Sequence, residues 1–216
     1  MLINITNPFI DWMFPKRCLI CDADEPRMHM CRICLMQCHR NQCQTFSING
    51  EQAFLFHFEL SIGKIIRKAK YNNDILSAHI LCALVIEELK ESSLLAQIKQ
   101  FSPEAVTFVP RHFLANVFRT VELPYLFAQI IADAIDRPLV SALVKNSPFG
   151  NQARRPYKRE RVKEIRDQFS ASLKMPYKRI LIVDDVMTTG ATLREVRRVL
   201  FDQGIETKSM AIAKTP

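Results

Sequence analysis

The sequence predicts an α/β fold, a mostly parallel sheet with flanking helices, preceded by a small N-terminal cysteine finger. Three observations predict it. Short apolar runs alternate with helix-period segments from Ala53 onward, the order that builds strand–helix–strand crossovers and hence parallel strands. One of those runs, residues 180–183, passes through two adjacent acids into a Thr/Gly turn and a fresh amphipathic helix. Six of the seven cysteines lie between residues 18 and 43, ahead of the first expected strand.

The 216 residues are 48% hydrophobic, enough for one good-sized core with a small appendage. A formal net charge of +8 points to anionic partners such as phosphates or nucleic acid. The first residues carry their basic side chains after the apolar ones and are interrupted by Asn, Pro and Asp, unlike a secretory signal. No apolar run approaches the length of a membrane span. Seven cysteines without such a signal fit a reducing compartment. The expected location is therefore cytoplasmic, and the expected use of the thiols is metal binding rather than disulfides.

The finger is expected to occupy residues 1–48 and the larger domain residues 49–216, with the boundary in a polar patch holding Ser47, Asn49 and Gly50. Cys18-x2-Cys21 and Cys31-x2-Cys34 can each turn a pair of thiolates onto one Zn²⁺, giving a closed tetrahedral site. Four thiolates leave no open position, so the site is structural. Cys38, Cys43, His29 and His39 stand near enough in sequence to replace a ligand, and the set stays open to that extent. So small a segment has little core, and zinc supplies most of its folding energy. Cys18→Ser or Cys34→Ser is expected to unfold the finger and leave the rest folded. Lys16, Arg17, Arg27, Arg32 and Arg40 make the finger basic. Contact with nucleic acid and a solvated rim that offsets the tetrathiolate are equal readings.

Residues 53–60 place Phe54, Phe56 and Phe58 in alternation and read as a strand with one buried face. Residues 62–71 form a short basic helix, Asn72, Asn73 and Asp74 a turn, and residues 75–89 an apolar-faced helix in which Cys82 is a small core residue. A second strand, residues 105–109, ends at Pro110, Arg111 and His112. Residues 123–135 are a helix with Pro124 tolerated in its first turn. Residues 139–144 are a third strand, and residues 209–213, after Gly204, a last one. Residues 145–169 hold eight basic residues against three acidic ones, and Pro148, Gly150 and Pro156 mark the first half as a loop. Arg154, Arg155, Lys158 and Arg159 lie in it, with Phe149 and Tyr157 offering aromatic faces. It reads as an arm that closes over an anion or tracks a nucleic-acid backbone. A solvated charged loop is the plain alternative.

The central segment carries the chemistry. The strand at residues 180–183 runs into Asp184 and Asp185 at the C-terminal edge of the sheet, where ligands of open α/β sheets bind. Two carboxylates there can accept hydrogen bonds from a diol. Thr188, Thr189, Gly190, Ala191 and Thr192 form a small turn, and Leu193, Val196, Val199 and Leu200 share one face of the helix that follows. Helix N-terminal N–H groups, helped by threonine hydroxyls, make a site for a phosphate dianion, and Gly190 lets the backbone approach it. No Walker A pattern occurs in the chain.

Over the thirteen positions 180–192 the segment resembles, without a gap, the phosphoribosyl-pyrophosphate (PRPP) loop of type I phosphoribosyltransferases: four hydrophobics, two acids, two variable residues, then T-T/G-G-x-T. The resemblance implies that Asp184, Asp185, Val186, Met187, Thr188, Thr189, Gly190, Ala191 and Thr192 bind PRPP, the acids taking the ribose 2′ and 3′ hydroxyls and the turn the 5′-phosphate. It implies that pyrophosphate is met after the second strand, where Arg111 and His112 are suitable donors. Mg²⁺ then arrives with the pyrophosphate rather than in a protein cage.

A double C-x-x-C finger ahead of such a domain resembles the ComF/GntX family of bacterial proteins associated with DNA uptake and competence. Lys70-Tyr71 with Asn73-Asp74 is similar to that family's K-Y-x-G-D element, with Asn73 in place of glycine. Val109-Pro110 and His112 are similar to its V-P-x-H element, and Gln152, Glu160, Arg161 and Phe169 to its Q-x-x-L…R…F arm with one extra residue. Lys70, Arg111, His112 and Arg161 are accordingly the pyrophosphate or catalytic candidates. The family's R-G-F-N-Q turn is matched here by Arg119, Thr120, Val121, Glu122 and Leu123, so only the arginine is shared. Two readings follow. The chain is a PRPP-binding module that handles single-stranded DNA during natural transformation, with other DNA-uptake proteins as partners, or it is an active phosphoribosyltransferase that displaces pyrophosphate with a base.

Overall fold

In chain order the elements are α1 (Arg32–Arg40), β1 (Gln52–His57), α2 (Leu60–Tyr71), α3 (Ile75–Glu91), α4 (Leu94–Phe101), β2 (Ala105–Phe108), α5 (Leu123–Ile135), β3 (Leu143–Lys145), β4 (Phe169–Ala171), β5 (Arg179–Met187), α6 (Ala191–Phe201) and β6 (Glu206–Lys214). The structure is a computed structural model and describes residues 17–24, 29–40, 52–91, 93–111, 121–146, 168–172 and 176–215.

Four strands form a wholly parallel sheet in the order β1–β6–β5–β2. The inner strand β5 is buried on both faces, and its side chains alternate between two layers. Leu181 and Val183 join the cluster that holds Ile62, Ile65 and Ile66 of α2 and Phe127 of α5. Ile180 and Ile182 join the other, with Leu193 and Val196 of α6. A parallel strand covered on both sides has no polar face, which is why residues 180–183 read as an unbroken apolar run. Each such fully buried aliphatic side chain contributes roughly 1.5–3 kcal/mol.

Three strand expectations are corrected. On β1 the buried residues are Ala53, Leu55 and Phe56, while Phe54 is only half-buried and Phe58 lies beyond the strand. The alternation of phenylalanines misled because this strand, too, has cover on both faces. The expected third strand joins the sheet only through a parallel bridge from Leu139 to Val106. The Thr107 hydroxyl donates to the Val140 carbonyl at 2.9 Å and accepts from the Ala142 N–H at 3.2 Å. That side chain takes over bonds a ladder would use, and the chain turns away into an antiparallel pair of β3 with β4, a strand the sequence did not suggest. Finally, β5 does not stop before the acids but continues through Asp184 and Asp185 to Met187.

Among the helices, α5 matches its expected bounds. The sequence reading passed over α4, although Leu94, Ile98 and Phe101 form a buried stripe at helical spacing. Ser102 closes it in the left-handed conformation, φ 52°. Within the finger, Arg17 and Asp24 bridge as a hairpin about the first knuckle, and the second knuckle runs into α1.

The finger packs into the body of the chain. Cys18, Met30, Cys34 and Cys38 belong to the same buried cluster as α2. Lys68 Nζ donates to the Leu19 carbonyl at 2.8 Å, Lys64 Nζ to the Ile20 carbonyl at 3.1 Å, and the Ser61 hydroxyl to Gln37 Oε1 at 3.1 Å. No helix among the described residues is long and apolar enough to cross a membrane.

Candidate functional site

Continuation of β5 through both acids has a direct consequence. Neighbouring strand residues point to opposite faces, so Asp184 and Asp185 straddle the sheet edge. Asp185 emerges on the α2 side. Its Oδ1 accepts from Lys70 Nζ at 2.8 Å and its Oδ2 from Arg111 Nη2 at 2.9 Å, with the three side chains 6%, 19% and 15% exposed. Lys70 is delivered by the last turn of α2. Arg111 is delivered by the segment that leaves β2, held against β5 by the Val109 N–H donating to the Val183 carbonyl at 2.9 Å. Charge-assisted bonds at these lengths are strong, and so little exposure leaves little screening.

Asp184 has the opposite electrostatics. It accepts the Asp185 N–H through Oδ1 at 2.8 Å. Burial, with the Asp185 charge adding to it, pushes its carboxyl up to about 7, against the pull of that N–H and of Lys70. Between the ordinary carboxylate range and that value, the folded chain holds a proton that the unfolded chain has released. The group's contribution to stability therefore falls as pH rises through this window. Asp184→Asn keeps the neutral form at every pH. Its gain in Tm is expected to be smallest near about pH 4, to grow with pH and to level off above about 7. Thermal melts across pH check this.

Lys145, at the end of β3, is a site residue the sequence reading did not single out. In the sequence it is one of the eight basic residues of 145–169. Its ammonium lies over the Phe169 ring at 5.4 Å from the centroid. Burial holds it below its ordinary value, with Arg111 pushing the same way and the Asp184 charge opposing. The β3–β4 pair thus places a third cation within electrostatic reach of Asp184. Nothing in the sequence indicated that pair, because each strand is three residues long.

The turn after β5 is built as its residue types dictate. Val186 is half-buried and Met187 buried, closing the strand. Thr188 and Thr189 are exposed, Ala191 and Thr192 half-exposed. The Ala191 N–H donates to Thr189 Oγ1 at 3.3 Å, and Arg194 Nη1 donates to the Thr189 carbonyl at 2.8 Å. Gly190 caps α6 with φ 70°, a left-handed conformation that favours glycine, and a Cβ there would come within 3.2 Å of Gln52 Oε1. Gly190→Ala is expected to cost about 1–2 kcal/mol and to shift the first N–H groups of α6; urea unfolding measures the first effect.

Of the sequence-predicted residues, the structure brings together Lys70, Arg111, Asp184 and Asp185, with the 188–192 turn following β5 directly. His112, Arg161, Arg154, Arg155, Lys158 and Arg159 lie outside the described residues.

In the finger, one sulfur from each of Cys18, Cys21, Cys31 and Cys34 lies within 4.8 Å of the other three. The Cys21 and Cys31 sulfurs are 3.7 Å apart. A Zn–S bond of about 2.3 Å in a tetrahedron requires sulfur separations of about 3.8 Å, so this donor set fits one such ion. Burial raises the Cys18 thiol, but the backbone N–H groups of Cys31, Cys21 and Ile20 bring it down to about 6, whereas burial and the neighbouring sulfurs push the Cys34 thiol up. Burial pushes Cys38 up to about 11, and it sits in the apolar core, outside the metal group. His29 is also outside that group among the described residues. Cys43 and the His39 side chain lie outside the described residues.

Comparison with known proteins agrees with this architecture. Residues 125–214 match the phosphoribosyl transferase domain family. The chain is 26% identical over 153 residues to competence protein F of Haemophilus influenzae, a match spanning 69% of this chain and 66% of that one. It thus spans slightly less than two thirds of that relative's length. Among solved structures, orotate phosphoribosyltransferase from Aeropyrum pernix is 16% identical with a TM-score of 0.38, covering 72% of this chain and 65% of its own. Glutamine PRPP amidotransferase from B. subtilis is 22% identical with a TM-score of 0.41, covering 62% and 26%. The fold is a parallel sheet with flanking helices, residues 125–214 of which match that domain family, with a four-cysteine cluster at its N-terminal end.

Proposed function

We propose that this chain, a relative of competence protein F that carries a phosphoribosyl transferase domain, binds PRPP at the C-terminal edge of its sheet and takes part in handling incoming single-stranded DNA. The observation that carries the PRPP reading is the pairing of Lys70 and Arg111 with Asp185, the second of two acids that lead into the α6 N-terminus, with Lys145 within electrostatic reach of the first. Each part suits one part of PRPP. The 188–192 turn and the N-terminal end of α6 suit the 5′-phosphate. Asp184 keeps one oxygen clear of the Asp185 N–H, and each Asp185 oxygen, though bound to a cation, retains a second lone pair for a ribose hydroxyl. The cations suit pyrophosphate, and Mg²⁺ comes with it, since Asp185 already has Lys70 and Arg111 as partners. Zn²⁺ is the ion that suits the four thiolates. The place of action under this reading is the cytoplasm, with other DNA-uptake proteins as partners.

The DNA half of the reading is supported by the net charge of +8, the basic run at residues 145–169 and the relative's name. Contacts to backbone phosphates release counterions, so affinity for an oligo(dT) strand should fall with salt at a slope of roughly −0.7 per phosphate. Replacing Arg154, Arg155, Lys158 and Arg159 together by alanine is expected to weaken binding and flatten that slope, as read by fluorescence anisotropy. Unchanged binding in the quadruple variant would mean that the arm is a solvated loop or an active-site lid.

The second reading is an active transferase. It is favoured by the same three cations, which would stabilise a departing pyrophosphate. Pyrophosphate release from PRPP over a panel of bases distinguishes the two. Under this reading, Lys145→Ala removes release while leaving 5′-phosphate binding in place.

A further inference from the structure

The basic side chains of α2 fall into two groups. Lys70 turns to Asp185, whereas Lys64, Arg67, Lys68 and Tyr71, at positions i, i+3, i+4 and i+7, share a different face. The helix buries Ile62, Ile65, Ile66 and Ala69 instead, so the basic face is left outward. Between it and the first cysteine knuckle lies a cleft of about 490 Å³, walled on one side by Leu19, Ile20 and Asp22. Its size is that of a small-ligand site.

The chemistry of the cleft is specific. Lys64 and Lys68 each spend one ammonium proton on a knuckle carbonyl, which fixes their position and leaves two donors apiece. Arg67 is held over the Phe58 ring at 5.3 Å. The one carboxylate in the wall, Asp22, also approaches Arg17, at 3.9 Å. The mouth is therefore positive. At its rim the Tyr71 side chain is 65% exposed, an aromatic face beside three cations.

Resting on the single-strand reading above, we propose that this cleft binds one nucleotide unit of a single strand, its phosphate on Lys64, Arg67 and Lys68 and its base stacked on Tyr71. Cations that track a backbone and an aromatic that takes any base are what strand binding without sequence preference requires. This contact is separate from the arm at residues 145–169. Because the knuckle forms one wall, the cleft depends on the four-cysteine cluster being intact. The same chemistry would accept a free nucleotide, and the two sources are separable.

The test uses the metal-loaded full chain and a 5-iodouracil-substituted oligo(dT) strand, read by anisotropy and by photocrosslinking with peptide mapping. Arg67→Glu and Tyr71→Ala are each expected to weaken strand binding by roughly ten-fold or more. The crosslink should map to the peptide that contains Tyr71, and thymidine monophosphate should compete only at concentrations far above those at which the strand binds. Both side chains face solvent, and an unchanged Tm confirms that each variant folds. Binding that survives both substitutions, together with crosslinks only elsewhere, overturns the cleft while leaving the arm reading to stand on its own variant. Competition by the mononucleotide at the same concentrations as the strand assigns the cleft to free nucleotides and overturns the strand proposal. No strand binding by the unaltered chain at low salt removes both.

Discussion

Asp185→Ala is expected to cost about 3–5 kcal/mol of stability, the range for removing one partner of a buried ion pair, and to abolish PRPP binding. The cost is large because two cations are left behind, Lys70 and Arg111, which approach that carboxylate at 2.8 and 2.9 Å with little exposure to water. Arg111 Nη1 is already buried without a partner among the described residues, so losing the Nη2 bond leaves the guanidinium poorly satisfied. One residue earlier the sign reverses. Burial and its neighbour's charge make the ionised form of Asp184 costly, so Asp184→Asn should stabilise the unliganded chain at pH 8, where the folded carboxyl has ionised against that cost, while still impairing PRPP binding. Two adjacent acids of one motif thus have opposite effects on folding and the same effect on ligand. Urea unfolding of both variants at pH 8 reads the sign. Equal destabilisation by both would mean that the Asp184 carboxylate is stabilised by pairing rather than penalised by burial.

Stripping the metal, or replacing Cys34 by serine, is expected to unfold more than the finger. Structural zinc sites contribute on the order of 10 kcal/mol, and here the stabilised segment is part of the main core. Cys18, Cys34 and Cys38 are 0–3% exposed within the cluster that holds Ile62 and Ile65. Losing the knuckle also frees Lys64 and Lys68 from its carbonyls and loosens the helix that presents Lys70. A chelator should therefore lower the Tm of a single transition and weaken PRPP binding as well. Two separate transitions, with the upper one indifferent to chelator, would restore the finger as an independent unit.

The sequence made the central site legible because its signal is local. Strand, acids, threonines and glycine are consecutive, and the φ of 70° at Gly190 follows from the residue type. The partners of Asp185 were also named, but as pyrophosphate donors. Their pairing with the acid lies 115 and 74 residues away in sequence, a separation that no local pattern encodes. Lys145 escaped because it sits on a three-residue strand whose partner, Phe169–Ala171, is as short, and periodicity needs more residues than that to register. The third strand failed through one hydroxyl: Thr107 takes the bonds at Val140 and Ala142 and diverts the chain. The finger's four-cysteine cluster was legible from spacing; its burial against α2 was not, because the lysines that clamp it are equally at home on a solvated face.

Titration of the metal-loaded chain with PRPP and Mg²⁺ in a calorimeter, alongside the variant carrying both Asp184→Ala and Asp185→Ala, tests the site most directly. One PRPP per chain is expected, bound more tightly as pH rises through about 7, where Asp184 becomes able to accept from a diol in its ionised form, with no binding by the double variant. A wild-type chain that binds no PRPP, or a double variant that binds it with unchanged affinity, would contradict the assignment of this sheet edge to the phosphoribosyl ligand.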